Sequence, residues 1–142
     1  KMLDLVQPGD VVVVAGEGDV SRALVGEIMK TIAEKRGVAG FVIDGAIRDS
    51  SAFAASDFPC FARGVNHRGP YKDGPGALDV PVAISGNVVS PGDIVVGDED
   101  GVVTFSAAIA ADLATTVRKQ LAKEAEIMAS IADGTYKGAY AK

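Results

Sequence analysis

The feature that most constrains the fold is a pair of apolar, β-rich runs separated by a segment with helical periodicity. Residues 11–15 are VVVVA, and residues 40–43 are GFVI. Apolar runs of this length are typical of strands that are buried on both faces of a sheet. Between the runs, the apolar positions at helical spacing are Leu24, Val25, Ile28, Met29 and Ile32. The order strand, helix, strand predicts a right-handed βαβ unit and therefore an α/β fold.

The same periodicity assigns the charged residues of the predicted helix to its solvent-facing side. These residues are Lys30, Glu34, Lys35 and Arg36. Asp19 or Ser21 is the expected N-cap, and Gly37 is expected just beyond the C-terminus. A lysine that forms a Schiff base has to be buried and desolvated. Because Lys30 and Lys35 are expected at the surface, the pattern argues against covalent imine catalysis.

The rest of the chain predicts short strands and turns, followed by a long helix. Asp44-Gly45 predicts a turn, and residues 50–55 predict a short helix. Residues 64–77 form a polar loop rich in glycine and proline, and a loop this long is often functional or packed on another subunit. Further strands are predicted at 60–63, 82–84, 88–89, 94–96 and 102–105. Ser106 is the expected cap of a last helix that ends near Ala132. Its apolar stripe is Leu113, Val117, Leu121, Ile127 and Ile131.

Length, charge and cysteine content limit the class of protein. A chain of 142 residues suits one domain, and we expect a single domain over residues 1–142. The net charge of -5, without a cluster of Lys or Arg, argues against nucleic-acid binding. No apolar run is long enough to predict a membrane span. Because Cys60 is the only cysteine, no intrachain disulfide can form, and we expect a cytoplasmic location.

Arg48 and Asp49 are the charged residues most suggestive of chemistry. They follow the second predicted strand, and ligands of α/β proteins bind outside the carboxyl ends of strands. One interpretation is a surface ion pair or a helix cap. The other is that Asp49 binds a hard cation while the guanidinium of Arg48 grips a carboxylate or enolate oxygen.

Glu27 also has two interpretations. Composition favours an ordinary exposed helix residue. Alternatively, Gly26 lets a ligand approach the backbone, and the N–H groups of residues 26–29 bind an anion. The second interpretation requires that the helix begin, or be broken, near Gly26.

Two glutamates of the last helix, Glu124 and Glu126, are further candidates. They are compatible with a solvated face on which they pair with Lys123 or Arg118. A glutamate that reaches into the site of a neighbouring subunit would give the same sequence pattern.

His67 and Cys60 carry less weight. His67 lies in the glycine- and proline-rich loop, and the sequence offers no order of Ser, His and Asp from which to build a triad. We expect it to be a loop residue. Cys60 lies in a predicted strand, where we expect it to be buried and inert.

Three separated motifs resemble the RraA-like family, in particular its 4-hydroxy-4-methyl-2-oxoglutarate/4-carboxy-4-hydroxy-2-oxoadipate aldolases. The motifs are GEIMKTIAEKRGVAGFVIDGAIRD, PCFARGVNHRGP and VVSPGDIVVGDEDGVVTF, at residues 26–49, 59–70 and 88–105. The resemblance implies a swivelling-type α/β sandwich that assembles as homotrimers or homohexamers with sites between subunits. The family's N-terminal region has no counterpart here. Since Lys1 to Leu5 lead directly into a turn and strand, we expect an N-terminal segment to be missing.

The resemblance also implies roles for individual residues. The aldolases carry an acidic residue, twenty intervening residues and then Arg-Asp, which correspond to Glu27, Arg48 and Asp49. The usual acidic residue is Asp, so Glu27 departs from the pattern by one methylene and alters how metal-bound water is held. By this resemblance, Asp49 holds Mg²⁺ or Mn²⁺, and Arg48 stabilises an enolate. The backbone of Gly26, Glu27, Ile28 and Met29 binds pyruvate, and Glu124 from an adjacent subunit completes the site.

Three hypotheses follow. The first is a divalent-metal-dependent aldolase that cleaves 4-hydroxy-2-oxo acids to pyruvate and a second 2-oxo acid, and that also decarboxylates oxaloacetate. The second is a non-catalytic regulator that binds a ribonuclease or another protein; Glu27 argues against it, because the regulators lack this acid. The third is a related lyase with another substrate, whose second carboxylate is read by Arg63, Arg68 or Lys72.

Overall fold

The computed structural model describes residues 1–138, so residues 139–142 of the predicted domain lie outside the described part. Two compact units are distinguished, Lys1–Thr104 and Phe105–Lys142. The expectation of one domain over residues 1–142 therefore stays a prediction. No helix among the described residues is long and apolar enough to cross a membrane.

The first unit is built around a parallel sheet. Its strands are β1 (Val11–Ala15), β2 (Ala23–Val25), β3 (Gly40–Ile47) and β4 (Cys60–Val65), with helices α1 (Glu27–Lys35) and α2 (Ser50–Ala54) between them. The central strand β3 pairs in parallel with β1, β2 and β4. Val11 lies opposite Gly40 and Ala15 opposite Asp44, so the predicted parallel pairing of the two apolar runs is confirmed.

The helix between these strands is shorter than predicted. Residues 23–25 form β2, which pairs with the carboxyl end of β3, and α1 begins at Glu27 with Gly26 as its N-cap. The predicted N-caps were wrong: the Asp19 carboxylate instead accepts hydrogen bonds from the N–H and hydroxyl of Ser21 in a turn. Gly37 follows the C-cap residue Arg36, as predicted. Leu24 and Val25 fit either periodicity, and strand pairing with β3 decides between the two.

The predicted turn at Asp44-Gly45 was also wrong. Strand β3 continues through both residues to Ile47, and its pairing with β4 shifts register between Ile43 and Ala46. A Cβ added to Gly45 would lie 2.9 Å from Leu24 Cδ1, so this glycine serves close packing rather than a turn.

The buried face of α1 differs from the predicted one. Lys30 is only 6% exposed and Ala33 is fully buried, whereas Ile28 is 72% exposed. Lys30 Nζ donates to Glu34 Oε2 at 3.0 Å, which satisfies the ammonium while its aliphatic stem is covered. Because α1 starts at residue 27, two of the five apolar residues that defined the predicted face belong to β2.

The core lies between the sheet and these helices. Phe41 and Ile43 of β3 are its largest fully buried side chains, and Phe58 meets the edge of Phe41 with ring centroids 4.9 Å apart. Val12, Val25 and Phe53 are buried with them. Burial of β3 on both faces agrees with its nearly continuous apolar sequence.

The later strands form two small sheets. Strands β5 (Val82–Ile84) and β6 (Asn87–Val89) are antiparallel, and β7 (Ile94–Asp98) pairs with β8 (Gly101–Phe105). These agree with the predicted strands to within two residues. The chain then makes a 3-10 turn at Ala107–Ile109, where Ser106 Oγ accepts from the N–H of Ala108.

Helix α3 (Ala110–Ala132) forms most of the second unit. It ends at the predicted residue, and none of its residues is buried. Within its predicted apolar stripe, Val117, Leu121 and Ile131 are exposed.

Candidate active site

The candidate site is built where three backbone segments converge at the carboxyl end of β3. Arg48 follows β3 directly, and its N–H donates to Val25 O of β2 at 3.0 Å. Asp49 follows at φ 56°, in the left-handed region, and precedes α2. Left-handed backbone is uncommon for residues with a side chain and is enriched at functional sites. Both side chains are partly exposed, at 41% for Arg48 and 44% for Asp49.

Two contacts hold the Asp49 carboxylate. The backbone N–H of Glu27 donates to Asp49 Oδ2 at 3.1 Å, and Arg48 Nε lies 3.5 Å from the same oxygen. Asp49 does not make a side-chain cap for its own helix α2. Asp49 thus occupies the N-cap position of α2, as the helix-cap interpretation predicted, but its carboxylate accepts from the first N–H of α1 rather than from an N–H of α2.

Gly26 makes this convergence possible. A Cβ at this position would lie 2.6 Å from Asp49 Oδ2 and 2.8 Å from Arg48 Cγ. The backbone of Gly26 is extended, with φ -152°, so close approach rather than conformational freedom requires a glycine here.

Helix α1 begins where the anion-binding interpretation requires. Its first intrahelical hydrogen bond runs from the N–H of Lys30 to Gly26 O at 3.1 Å. The N–H groups of Ile28 and Met29 precede this bond and have no acceptor within the helix. They lie beside the Glu27 N–H that Asp49 accepts, and the Glu27 side chain is exposed in the same turn. The helix start therefore offers backbone donors to an anion.

The donor set fits a hydrated cation. Within residues 1–138, no three His, Cys, Asp or Glu side chains come together as a metal-ligand group. Both contacts of Asp49 use Oδ2, and its carboxylate is partly exposed. A single carboxylate suits a hard ion such as Mg²⁺ that keeps most of its waters, and it does not suit a closed site of four protein ligands.

The loop after β4 lies against Arg48. A Cβ added to Gly69 would be 3.1 Å from Arg48 Nη1. The N–H of Asn66 donates to Ile47 O at 2.9 Å, which fixes the start of the loop at the end of β3. Sequence reasoning did not single out Gly69; the only available signal was the length and glycine content of the loop.

Of the three residues proposed to read a second carboxylate, Arg63 is already engaged. It forms an ion pair with Asp44, whose side chain is 4% exposed, and donates to Ser85 Oγ. Arg68 and Lys72 lie in the exposed part of the loop. Which of the three residues reads a second carboxylate stays a prediction.

The remaining candidates lie elsewhere. Glu124 and Glu126 are exposed on α3, and Glu124 Oε1 accepts from Gln120 Nε2 at 2.7 Å rather than pairing with Lys123 or Arg118. His67 is an exposed loop residue, as predicted. Cys60 is half-buried in β4, and desolvation raises the pKa of its thiol to about 11, so it is a poor nucleophile at neutral pH.

Comparison with known proteins identifies the family. The family model described as RraA-like (Aldolase/RraA) matches residues 1–104, which include every part of the site at the end of β3. The chain belongs to the RraA-like family. The predicted α/β fold of this family is thereby confirmed, while the roles of the individual site residues stay predictions.

Individual relatives of this RraA-like chain differ in what they are said to do. A Halalkalibacterium halodurans protein with the provisional name 4-hydroxy-4-methyl-2-oxoglutarate aldolase is 45% identical over 98 residues, 69% of this chain. The chain spans about half of that relative's length (47%).

Two solved structures share the fold. An uncharacterised protein from Pseudomonas syringae pv. tomato superposes with a TM-score of 0.85 at 32% identity, covering 92% of this chain and 66% of that one. A Streptomyces coelicolor protein, described as an unusual member of the RNase ES inhibitor RraA protein family, gives 0.81 at 32% identity, covering 89% and 66%. These proteins therefore include one with an aldolase name and one described as an unusual member of an inhibitor family.

Proposed function

We propose that this chain acts as a divalent-metal-dependent lyase. It would cleave 4-hydroxy-2-oxo dicarboxylic or tricarboxylic acids to pyruvate and a second 2-oxo acid. The observation that carries the proposal is the single carboxylate of Asp49, held by the first N–H of α1 with the guanidinium of Arg48 beside it. The name of the Halalkalibacterium halodurans relative supports the same reaction class.

Asp49 would hold Mg²⁺ or Mn²⁺, with water completing the coordination. When bound there, such an ion supplies Lewis-acid polarisation of a 2-oxo acid. The Glu27 N–H donates to Asp49 Oδ2 and so keeps the carboxylate oriented. Carboxylates that bind metal ions are commonly held by such hydrogen bonds.

The substrate would be bound by the start of α1 and by Arg48. The free N–H groups of Ile28 and Met29, with the backbone of Gly26 and Glu27, would receive its carboxylate, because the helix N-terminus favours negative charge. As the C3–C4 bond breaks, negative charge grows on the oxygen of the pyruvate enolate. The Arg48 guanidinium would stabilise this charge.

Removal of the C4 hydroxyl proton requires a base. The Glu27 carboxylate, exposed in the first turn of α1, is one candidate acceptor for that proton or for a proton relayed by water. Glu124 from a neighbouring copy is the other. Helix α3, which carries Glu124, buries none of its residues within the described chain, and this supports a role in contacts between copies. We therefore propose a homotrimer or homohexamer with shared sites.

The same arrangement would decarboxylate oxaloacetate. Loss of CO₂ from oxaloacetate leaves the pyruvate enolate, so Arg48 would stabilise the same charge. The proposal thus includes a second activity at the same residues.

A second candidate function is a non-catalytic regulator that binds a ribonuclease or another protein. The likeness to the Streptomyces coelicolor member of the inhibitor family favours it. The two functions differ in one measurable property, because only the lyase needs a metal ion and Asp49.

The deciding experiment measures pyruvate released from 4-hydroxy-4-methyl-2-oxoglutarate and from oxaloacetate by the full-length protein, first with Mg²⁺ and then with EDTA. We expect release with Mg²⁺ and little with EDTA. Asp49→Ala should lose the activity, whereas Asp57→Ala, which removes an exposed aspartate beyond α2, should keep it. Folded protein that releases no pyruvate from either substrate in Mg²⁺ would contradict the proposal and favour the regulator or another substrate.

A further inference from the structure

Arg22 is a residue outside the proposed chemistry that makes two specific contacts with the loop beside Arg48. Its Nη1 donates to Gly69 O at 3.0 Å. Its guanidinium carbon also lies 4.0 Å from the ring centroid of Tyr71, within the range of a cation–π interaction. The Arg22 side chain therefore contacts both the backbone carbonyl of Gly69 and the ring of Tyr71.

These contacts belong to a wider attachment of the loop to the segment that leads into β2. Asn66 Nδ2 donates to Val20 O and Ser21 O, at 2.9 and 3.0 Å. The N–H of Ala23 donates to Arg68 O at 2.8 Å. Arg22 is the residue of this segment whose side chain reaches Gly69.

Gly69 links Arg22 to Arg48. Its carbonyl oxygen accepts from Arg22, and its Cα faces Arg48, since an added Cβ would lie 3.1 Å from Arg48 Nη1. The backbone of Gly69 is thus packed between two guanidinium groups. Displacement of Gly69 would change the space available to the side chain of Arg48.

We propose that Arg22 is a positioning residue for Arg48, acting through Gly69 and Tyr71. By holding the loop against the guanidinium, it restricts Arg48 to the orientation in which it meets the substrate. This inference rests on the proposed function for its catalytic consequence, but the positioning itself is a property of the free protein. Arg is suited to the role because its planar fork bonds a carbonyl while its face covers a ring, which Lys cannot reproduce.

The test compares Arg22→Ala with Arg36→Ala. Arg36 is a matched control because it also donates to a distant backbone carbonyl, that of Leu3, but at the opposite end of α1 from Gly26. In Arg22→Ala we expect kcat for pyruvate release to fall about tenfold, less than the roughly hundredfold loss that a 1 Å misplacement can cause, because the Ala23–Arg68 bond remains. KM should change less than kcat, because the charge that Arg48 stabilises is larger in the transition state than in the bound substrate. Arg36→Ala should match the wild type.

Two further variants separate positioning from stability. Tyr71→Phe keeps the ring and should retain wild-type kcat, whereas Arg22→Lys should recover only part of the loss. If Arg22→Ala fails to fold, Arg22→Lys and Tyr71→Ala are measured in its place. Wild-type kcat in both of these variants would overturn the proposal. Folded Arg22→Ala with wild-type kcat would overturn it as well.

A spectroscopic readout keeps this inference distinguishable from the proposed function. The NMR signal of the Arg48 Nε–H group, assigned by its loss in Arg48→Lys, should shift in Arg22→Ala and stay unchanged in Arg36→Ala. An unchanged signal in Arg22→Ala would overturn the positioning role even in an active enzyme. If Arg22→Ala shifts the Arg48 signal but the wild-type protein releases no pyruvate, the proposed function alone is overturned.

Discussion

Two arginine–aspartate pairs involve residues of the same strand or of its end, and they differ chiefly in the burial of the aspartate. Asp44 lies within β3, is almost fully buried and pairs with Arg63 of β4, which also binds Ser85. Arg48 and Asp49 follow the end of β3, and both remain about two-fifths exposed. The first pair joins neighbouring strands and a hairpin. The second leaves charged groups accessible beside free backbone donors. The same two residue types thus serve structure inside the sheet and a ligand site at its end.

The largest effect on activity is expected when the exposed pair is broken. Arg48→Ala should lower kcat for pyruvate release by about 10²–10³, the usual cost of removing a donor that stabilises an oxyanion. Its midpoint of thermal unfolding should stay close to that of the wild type, because exposed ion pairs contribute little stability. Steady-state kinetics and a thermal melt on the same sample measure both quantities. Wild-type turnover in Arg48→Ala would remove this residue from the mechanism.

A smaller loss is expected when the space beside the exposed pair is filled. Gly26→Ala places a Cβ 2.6 Å from Asp49 Oδ2, so the carboxylate or the start of α1 has to move. We expect about a hundredfold lower kcat, as for other misplacements of about 1 Å. Gly74→Ala is the control, since a Cβ there meets nothing within 4 Å. Equal activity of the two variants would show that the close approach at Gly26 has no catalytic importance.

Breaking the buried pair should lower the stability of the fold. Asp44→Ala leaves Arg63 without its buried partner, and we expect a loss of roughly 2 kcal/mol in the free energy of unfolding. This is below the cost for a fully buried pair, because Arg63 is 42% exposed and is screened by water. Urea denaturation measures the change, with Asp57→Ala as control. A loss no larger than that of Asp57→Ala would mean that burial of Asp44 contributes no stability.

The reactivity of the Cys60 thiol can be used to monitor the integrity of the same sheet. It lies opposite Phe41, at the end of β3 far from Arg48, and burial raises its pKa to about 11 from the ordinary 9.0. The folded state holds the thiol proton more tightly than the unfolded state does. The free energy of unfolding should therefore be unaffected by this group below about pH 9 and should fall as pH rises towards 11.

Alkylation of Cys60 by iodoacetamide at pH 8 should therefore be slower in folded than in urea-unfolded protein. Asp44→Ala should accelerate it by opening the sheet, and Arg48→Ala should leave it unchanged. Equal rates in the folded and unfolded protein would contradict the raised pKa.

Much of the first unit could be predicted from sequence because its elements are encoded locally. The runs VVVVA and GFVI have the length and composition of buried strands, and both lie where predicted. The last helix likewise ends at Ala132 as its periodicity indicated. The placement of Arg48 and Asp49 after a strand followed from the same local pattern.

The errors arose where two local patterns were compatible. Leu24 and Val25 continue the helical periodicity of residues 28–33, yet they pair with β3 as strand β2. The buried side of α1 then carries Lys30, whose charge is satisfied by Glu34 only because the helix places the two residues one turn apart. Neither the strand pairing nor the packed face of a short helix can be derived from periodicity alone.

The sequence by itself determined the parallel arrangement of two buried strands and a charged pair at the end of one of them. It also determined the family, since the matching motifs are local and in order along residues 1–104. Only the tertiary structure decided which arginine meets which aspartate, why residue 26 has no side chain, and that Gly69 lies between Arg22 and Arg48. The physical reason is that backbone conformation follows from near neighbours, whereas these contacts join residues far apart in sequence whose approach is set by packing.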